Sequence, residues 1–245
     1  MKKYLIGFFV WVGVATAQPL LPTDTLRVAS YNVLNFPGST GLDRAGDFRT
    51  VINTIEPDVI ATQEMLSAAG VQTLLDSVFN HETAGKYNSA TFIDGPDTDS
   101  IIFYRPEVVT LSSQSRLTTA LRNIAEFVFS TADGQELRIY SLHLKASQGA
   151  ENEDKRLAEA TILRDHLNDL PANSNFIVLG DFNIYKASEP AYSKFTGSEA
   201  DECLTRFKWK ETGTTTPLLP PFIPNLRAQR NSAATHRAGW TTALI

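Results

Sequence analysis

Apolar runs in this chain repeatedly end in short polar clusters. Residues 26–31 (Leu-Arg-Val-Ala-Ser-Tyr) alternate well enough to predict a strand, and the run ends at Asn32. Residues 58–64 predict a second strand, closing on Gln63 and Glu64. Short strands are predicted around 90–93, over 100–104 and over 108–111. Residues 124–130 and 136–143 read as a strand pair joined around Asp133-Gly134, a favoured hairpin dipeptide. Residues 175–179 (Asn-Phe-Ile-Val-Leu) predict a buried strand opening into Gly180-Asp181-Phe182-Asn183.

Helical spacing fills several of the intervals. Phe48, Val51, Ile52 and Ile55 predict a helix over 47–55, stopped by Pro57. Val71, Leu74, Leu75 and Val78 predict one over 68–80. Leu157, Ala160, Ile162, Leu163 and Leu167 predict one over 151–170. A short helix from 188 to about 195 has Pro190 near its first turn. Residues 33–46 and 81–98 read as loops. Strands that alternate with helices but also form hairpins predict an α/β (α+β) layered sandwich, with mixed sheets covered by helices.

Composition narrows this picture. The 245 residues are 42% hydrophobic and 20% charged, which suits one globular domain. Residues 1–17 stand apart: Lys2 and Lys3 precede an apolar stretch over 4–14 and a small-x-small site at Ala15-Thr16-Ala17. That pattern is expected to be a secretory signal cleaved near Ala17, giving an exported protein. The apolar stretch is too short for a span of about 20 residues, and no other run predicts a transmembrane segment. A single cysteine, Cys203, excludes an internal disulfide framework. Net charge is −5, and two units more negative without Lys2 and Lys3, so no broad basic face is implied. A nucleic-acid ligand would be held by a local site and a metal, not by long-range attraction.

Four strand ends deliver the candidate chemistry: Asn32, Gln63-Glu64, His143, and Asp181 with Asn183. Strand C-termini can converge on one rim of a sheet. Glu64 is a hard oxygen ligand for Mg²⁺ or a similar ion. Asp181 can orient and activate a water. Asn32 and Asn183 can hold a phosphate or complete a metal shell, and His143 can donate to a phosphate oxygen or protonate a leaving group. Such a set suits metal-assisted attack of water on a phosphoester. Lys155 and Arg156 are expected to form surface pairs with Glu151 and Glu159.

The segments Ser30-Tyr31-Asn32, Thr62-Gln63-Glu64, Ser141-Leu142-His143-Leu144 and Gly180-Asp181-Phe182-Asn183 occur in order. Together they resemble the endonuclease/exonuclease/phosphatase superfamily over roughly residues 26–200. The resemblance implies a deoxyribonuclease I-like, four-layer αββα sandwich. It implies Mg²⁺ (or Mn²⁺ or Ca²⁺) as cofactor, with Asn32 and Glu64 at metal and phosphate positions. His143 would contact the scissile phosphate, and Asp181 and Asn183 would position the nucleophilic water and the transition state. An acidic residue near 97–99, Asp97 or Asp99, could hold the histidine in one tautomer, the alternative being a solvated loop carboxylate. The substrate class is a phosphoester, with nucleic acid foremost and a lipid or inositol phosphodiester as the alternative. An inactive binding domain is the reading outside enzymology.

After about Ala200 the sequence changes character. Residues 201–245 carry six basic and three acidic residues, whereas residues 18–200 carry 14 and 24. Four of the twelve prolines fall within 217–224. The family pattern includes a late Asp-Asp-Arg-Phe-Asp and a final Ser-Asp-His, and neither occurs. Reading the codons of residues 239–245 from their third base permits Asp-Asp-Arg-Phe-Asp. The tail is therefore expected to be out of frame and the domain to lack its last strands. Without the terminal Asp and His, the 245-residue chain is expected to be poorly stable, with little or no turnover.

Overall fold

The computed structural model describes residues 25–132 and 134–196 of the 245-residue chain. The segment expected to be a signal, the tail beyond Ala200 and Asp133 lie outside the described residues.

Among the described residues eight strands build two four-stranded sheets. β1 (Val28–Phe36), β2 (Val59–Met65), β3 (Asn88–Ser89) and β4 (Asp99–Tyr104) form the first, in the order β1-β2-β4-β3. β1 and β2 run parallel, and β4 is antiparallel to both β2 and β3. β5 (Val109–Leu117), β6 (Ile124–Thr131), β7 (Glu136–His143) and β8 (Phe176–Asp181) form the second sheet in sequence order. β5, β6 and β7 are antiparallel neighbours, and β7 and β8 run parallel. Among the described residues β1 and β8 are sheet edges, and they contact each other.

Alternation along the strands separates two cores. On β7, Ile139 faces the first core, while Tyr140 and Leu142 face the second. The first core joins Phe127, Phe129, Ile177 and Leu179 of the second sheet to Val59, Ile60, Ile101 and Phe103 of the first. It continues to helix α1 (Ala45–Ile55) through Phe48 and Ile52, and to α2 (Ala68–Leu74) through Val71 and Leu74. The second core packs Ala160, Leu163 and Leu167 of α3 (Ala150–Asn168), and Ala191 and Phe195 of α4 (Pro190–Thr196), onto the outer face of the second sheet. The layers are helix, sheet, sheet, helix: a four-layer αββα sandwich.

Local signals explain the element ends. Ser67 caps α2 by accepting the Gly70 N–H at 3.0 Å. α3 carries Glu151 and Glu153 in its first turn and His166 in its last, matching the helix dipole. Four stretches differ from the sequence expectation. The short strand expected around 90–93 lies instead at Asn88–Ser89. The helix expected over 68–80 changes after Leu74 into a π turn over Leu75–Phe79. β1 runs four residues past Asn32, with a register shift between Asn32 and Phe36 and left-handed backbone at Leu34 and Asn35. β5 reaches Leu117; its polar 112–115 segment lies on a sheet edge, where no apolar alternation is required. No helix among the described residues is long and apolar enough to cross a membrane.

Candidate active site

Parallel pairing sets the site. Asn32 lies opposite Gln63 across β1 and β2, and His143 lies opposite Asp181 across β7 and β8. Adjacency of β1 and β8 then brings both strand-end pairs to one rim. Beneath that rim the two sheets are joined by a buried polar bridge: Ser30 Oγ donates to Gln63 Oε1 at 3.3 Å, and Gln63 Nε2 donates to Ser141 Oγ at 3.0 Å.

Asn32 is the hub of the cluster. Its Nδ2 donates to Glu64 Oε1 at 2.8 Å and to Asp181 Oδ2 at 3.1 Å, while its Oδ1 accepts the Leu34 N–H at 2.9 Å. One amide thus holds two carboxylates together. Glu64 Oε2 accepts the Asn35 N–H at 3.0 Å. The His143 Nε2 lies 3.9 Å from Glu64 Oε1 and 3.8 Å from Asp181 Oδ2. Asn183 donates its backbone N–H to Asp181 Oδ1 at 3.2 Å and its side-chain Nδ2 to the Leu144 carbonyl at 3.0 Å. Glu64 (φ 66°) and Asn183 (φ 48°) both have left-handed backbone, an uncommon state for residues with a Cβ. At Glu64 this turns the chain abruptly where the carboxylate leaves the sheet, a strain that surrounding structure must hold.

Electrostatics at His143 are mixed. Burial and then the Arg122 guanidinium push its pKa below the usual histidine value, while Asp181, Glu64 and Asp97 pull the other way and are outweighed. The imidazole is therefore neutral at pH 7, with one ring nitrogen a donor and the other an acceptor. Its Nδ1 is buried and has no hydrogen-bond partner among the described residues.

The structure brings Asn32, Glu64, His143, Asp181 and Asn183 together. It does not bring Asp97 or Asp99 to the histidine as its tautomer-fixing partner. Asp99 pairs with Arg116 at 3.2 Å and accepts the Gly95 N–H, and Asp97 pairs with Arg122 at 2.9 Å. Each carboxylate is taken by a nearby guanidinium, the stronger charged donor. Arg156 is also not the surface residue expected. Lys155 pairs with Glu151 on the surface, but Arg156 is fully buried against Glu189.

Arg122 escaped the sequence reading altogether. Its Nη1 donates to the carbonyls of His143 and Leu144 at 3.0 and 3.2 Å. It sits in an irregular connection between β5 and β6 that carries no periodic signal. The roles of Ser30 and Ser141 had a faint signal, since both lie two positions from a cluster residue on a strand and share its face.

Among the described residues no group of three or more His, Cys, Asp and Glu is arranged to hold a metal ion. Two carboxylates are present, and Mg²⁺ commonly takes only one or two, completing its octahedron with waters and substrate phosphate oxygens. Glu64 and Asp181 fit that use, each carboxylate being partly exposed at the rim. Asn32 fits it less well than expected: both amide hydrogens and one Oδ1 lone pair are already engaged.

Comparison with solved structures places the fold. The chain is similar to an endonuclease/exonuclease/phosphatase from Bacteroides vulgatus (18% identity over 71% of each chain, TM-score 0.58). It is similar to the human Nocturnin catalytic domain with bound sulfate anion (22% identity, 71% of this chain and 70% of that one, TM-score 0.54). It is also similar to D. rerio TDP2 complexed with single strand DNA product (22% identity, 66% of this chain and 62% of that one, TM-score 0.53). At these identities the likeness is one of fold, and the chain spans less than two thirds of the D. rerio TDP2 chains it matches. A search of curated proteins gave no match. The model of the Endonuclease/Exonuclease/phosphatase family matches residues 29–241, a range that contains the whole cluster and runs on past Ala200, and the chain belongs to that family.

Proposed function

We propose that this chain is an exported, metal-dependent phosphoesterase of nuclease-like type. The observation that carries the reading is the Asn32 amide bridging Glu64 and Asp181 beside His143. Two carboxylates held this close repel each other, and a divalent cation or the donors of a bound ligand would relieve that repulsion. Family members hydrolyse phosphoester bonds, which gives the cluster its chemistry.

Glu64 would hold the cation, with Asp181 at its side. When bound, the cation would stabilise negative charge on the phosphate and lower the pKa of a coordinated water. His143 would donate one ring N–H to a non-bridging phosphate oxygen. Asp181 would orient the attacking water, and Asn183 would fix Asp181 through its backbone N–H. The single-strand DNA product held by D. rerio TDP2 supports nucleic acid as the substrate class. Export rests on the basic, apolar and small-residue pattern of residues 1–17.

The test is calorimetric binding of bis(p-nitrophenyl) phosphate and of a single-stranded oligonucleotide, each with Mg²⁺ and with EDTA. Binding is expected with Mg²⁺, and it is expected to vanish with EDTA and in Glu64→Gln. Binding indifferent to EDTA would contradict the reading. Mg²⁺-dependent nitrophenol release would support the enzyme reading and overturn the expectation of little or no turnover. Sphingomyelin bound in preference to the oligonucleotide would move the substrate class to lipids.

A further inference from the structure

We infer that Arg156 and Glu189 form a buried clamp that positions the two halves of the candidate site relative to each other, an inference that rests on the site reading above. His143 and Asp181 end neighbouring parallel strands, and each is followed by an irregular segment, 144–149 and 182–189. Strand pairing reaches only the Leu144 N–H, which donates to the Asp181 carbonyl at 2.9 Å; beyond it no strand pairing fixes the segments that carry Asn183 and the Leu144 carbonyl it grips.

Arg156 reaches both from α3. Its Nε donates to Glu189 Oε2 at 2.8 Å, and its Nη1 donates to the carbonyls of Lys145 and Ser147, both at 2.8 Å. Glu189 Oε1 accepts the Tyr185 N–H at 2.9 Å. Tyr185 closes the circuit: its hydroxyl accepts the Ser147 N–H at 3.0 Å, and its ring lies 5.3 Å from the Arg156 guanidinium carbon. Lys145 stands two residues after His143, and Tyr185 stands two residues after Asn183. The flat guanidinium fork thus ties the segment leaving His143 to the segment leaving Asp181.

Stability alone explains this arrangement poorly. Arg156 and Glu189 are both 0% exposed, and Arg156 Nη2 makes no hydrogen bond among the described residues. Buried ion pairs are often replaceable by apolar residues with no loss of stability. What apolar residues would not supply is a directional hold on three backbone groups in two segments. The clamp acts through Leu144 and Asn183 and touches no reacting atom, so Arg156 is a positioning residue.

The test compares the full chain with Arg156→Met/Glu189→Leu, a double replacement that buries no charge, and with Arg156→Lys. Glu126→Gln is the control, removing a buried charge elsewhere on the second sheet. The readouts are hydrogen exchange, the His143 ring and Asn183 side-chain amide resonances, and Mg²⁺-dependent binding of bis(p-nitrophenyl) phosphate. The double variant is expected to remain folded. Exchange at Leu144 and Asn183, whose N–H groups touch neither mutated residue, should rise on the order of tenfold, with binding weakened by a similar factor. The two resonances should shift, Arg156→Lys should recover part of each effect, and Glu126→Gln should leave them unmoved. Unchanged exchange and resonances in the folded double variant would overturn the clamp, as would a rise spread evenly over the second sheet. Absence of phosphodiester binding by the unaltered chain would defeat the functional reading alone, because exchange and resonances still decide the clamp.

Discussion

At the scale of single residues, Asn32 does more than its place at a strand end suggests. Its amide satisfies two carboxylates at once, so its removal leaves like charges adjacent with no donor between them. Asn32→Ala is predicted to lower stability by about 2 kcal/mol in urea unfolding, the scale of hydrogen bonds to charged groups. Added Mg²⁺ should recover part of that loss by taking the place of the missing donors. The five residues brought together at the rim were legible in the sequence through their joint occurrence at four strand ends, since each alone has an ordinary structural use. The guanidiniums were not legible. Arg116, Arg122 and Arg156 take their partners from segments 17 to 33 residues away in sequence, and no local pattern announces such pairings. The same three arginines give Asp99, Asp97 and Glu189 partners that no local pattern announces.

At the scale of elements, the β7–β8 pair is the most demanding. Gly180 has φ 133°, and a Cβ there would lie 2.0 Å from the Leu142 carbonyl oxygen on the parallel neighbour. Neither the backbone state nor the space admits a side chain. Gly180→Ala is predicted to cost roughly 3 kcal/mol or more in denaturant unfolding, and to displace Asp181 by forcing the strands apart. The glycine visible in the sequence as a strand terminator is thus required by close approach. The other face of the second sheet gives a prediction in pH. Burial would raise the Glu126 pKa, but hydrogen bonds from Ser115, Tyr140 and Arg138, with His166 nearby, outweigh it and leave it below the usual glutamate value. A depressed folded pKa contributes stability that is present above the unfolded pKa and is lost as pH falls through the folded one. Unfolding free energy should therefore fall from roughly pH 5 downward, and Glu126→Gln should make that fall shallower. Titration of stability with and without the substitution checks it. Elements themselves were largely readable, since helix and strand periods dominate them. The extension of β5 to Leu117 and the π turn after Leu74 were not, the first for want of alternation on a polar edge and the second because apolar spacing does not distinguish π from α.

At the scale of the whole molecule, two sheets meet face to face and their adjacent edges share one site. The Ser30–Gln63–Ser141 bridge sits under that site and joins the sheets with buried polar groups, where a slip between layers would leave donors unpaired. This makes the relation of Glu64 to His143 a property of how the layers pack, and so of the entire sandwich. A layered sandwich followed from the mixture of hairpins and helical crossovers in the sequence, and its four-layer order from the family resemblance. Adjacency of β1 and β8 did not, because sheet edges are set by long-range pairing that apolar periodicity does not encode. We propose that this shared rim binds a divalent cation together with a phosphodiester. The most direct measurement is a calorimetric Mg²⁺ titration of the full chain and of Glu64→Gln, with bis(p-nitrophenyl) phosphate present. Saturable binding by the unaltered chain and its loss in the variant are expected. Equal binding by both proteins, or phosphodiester binding that persists without any divalent cation, would contradict the proposal.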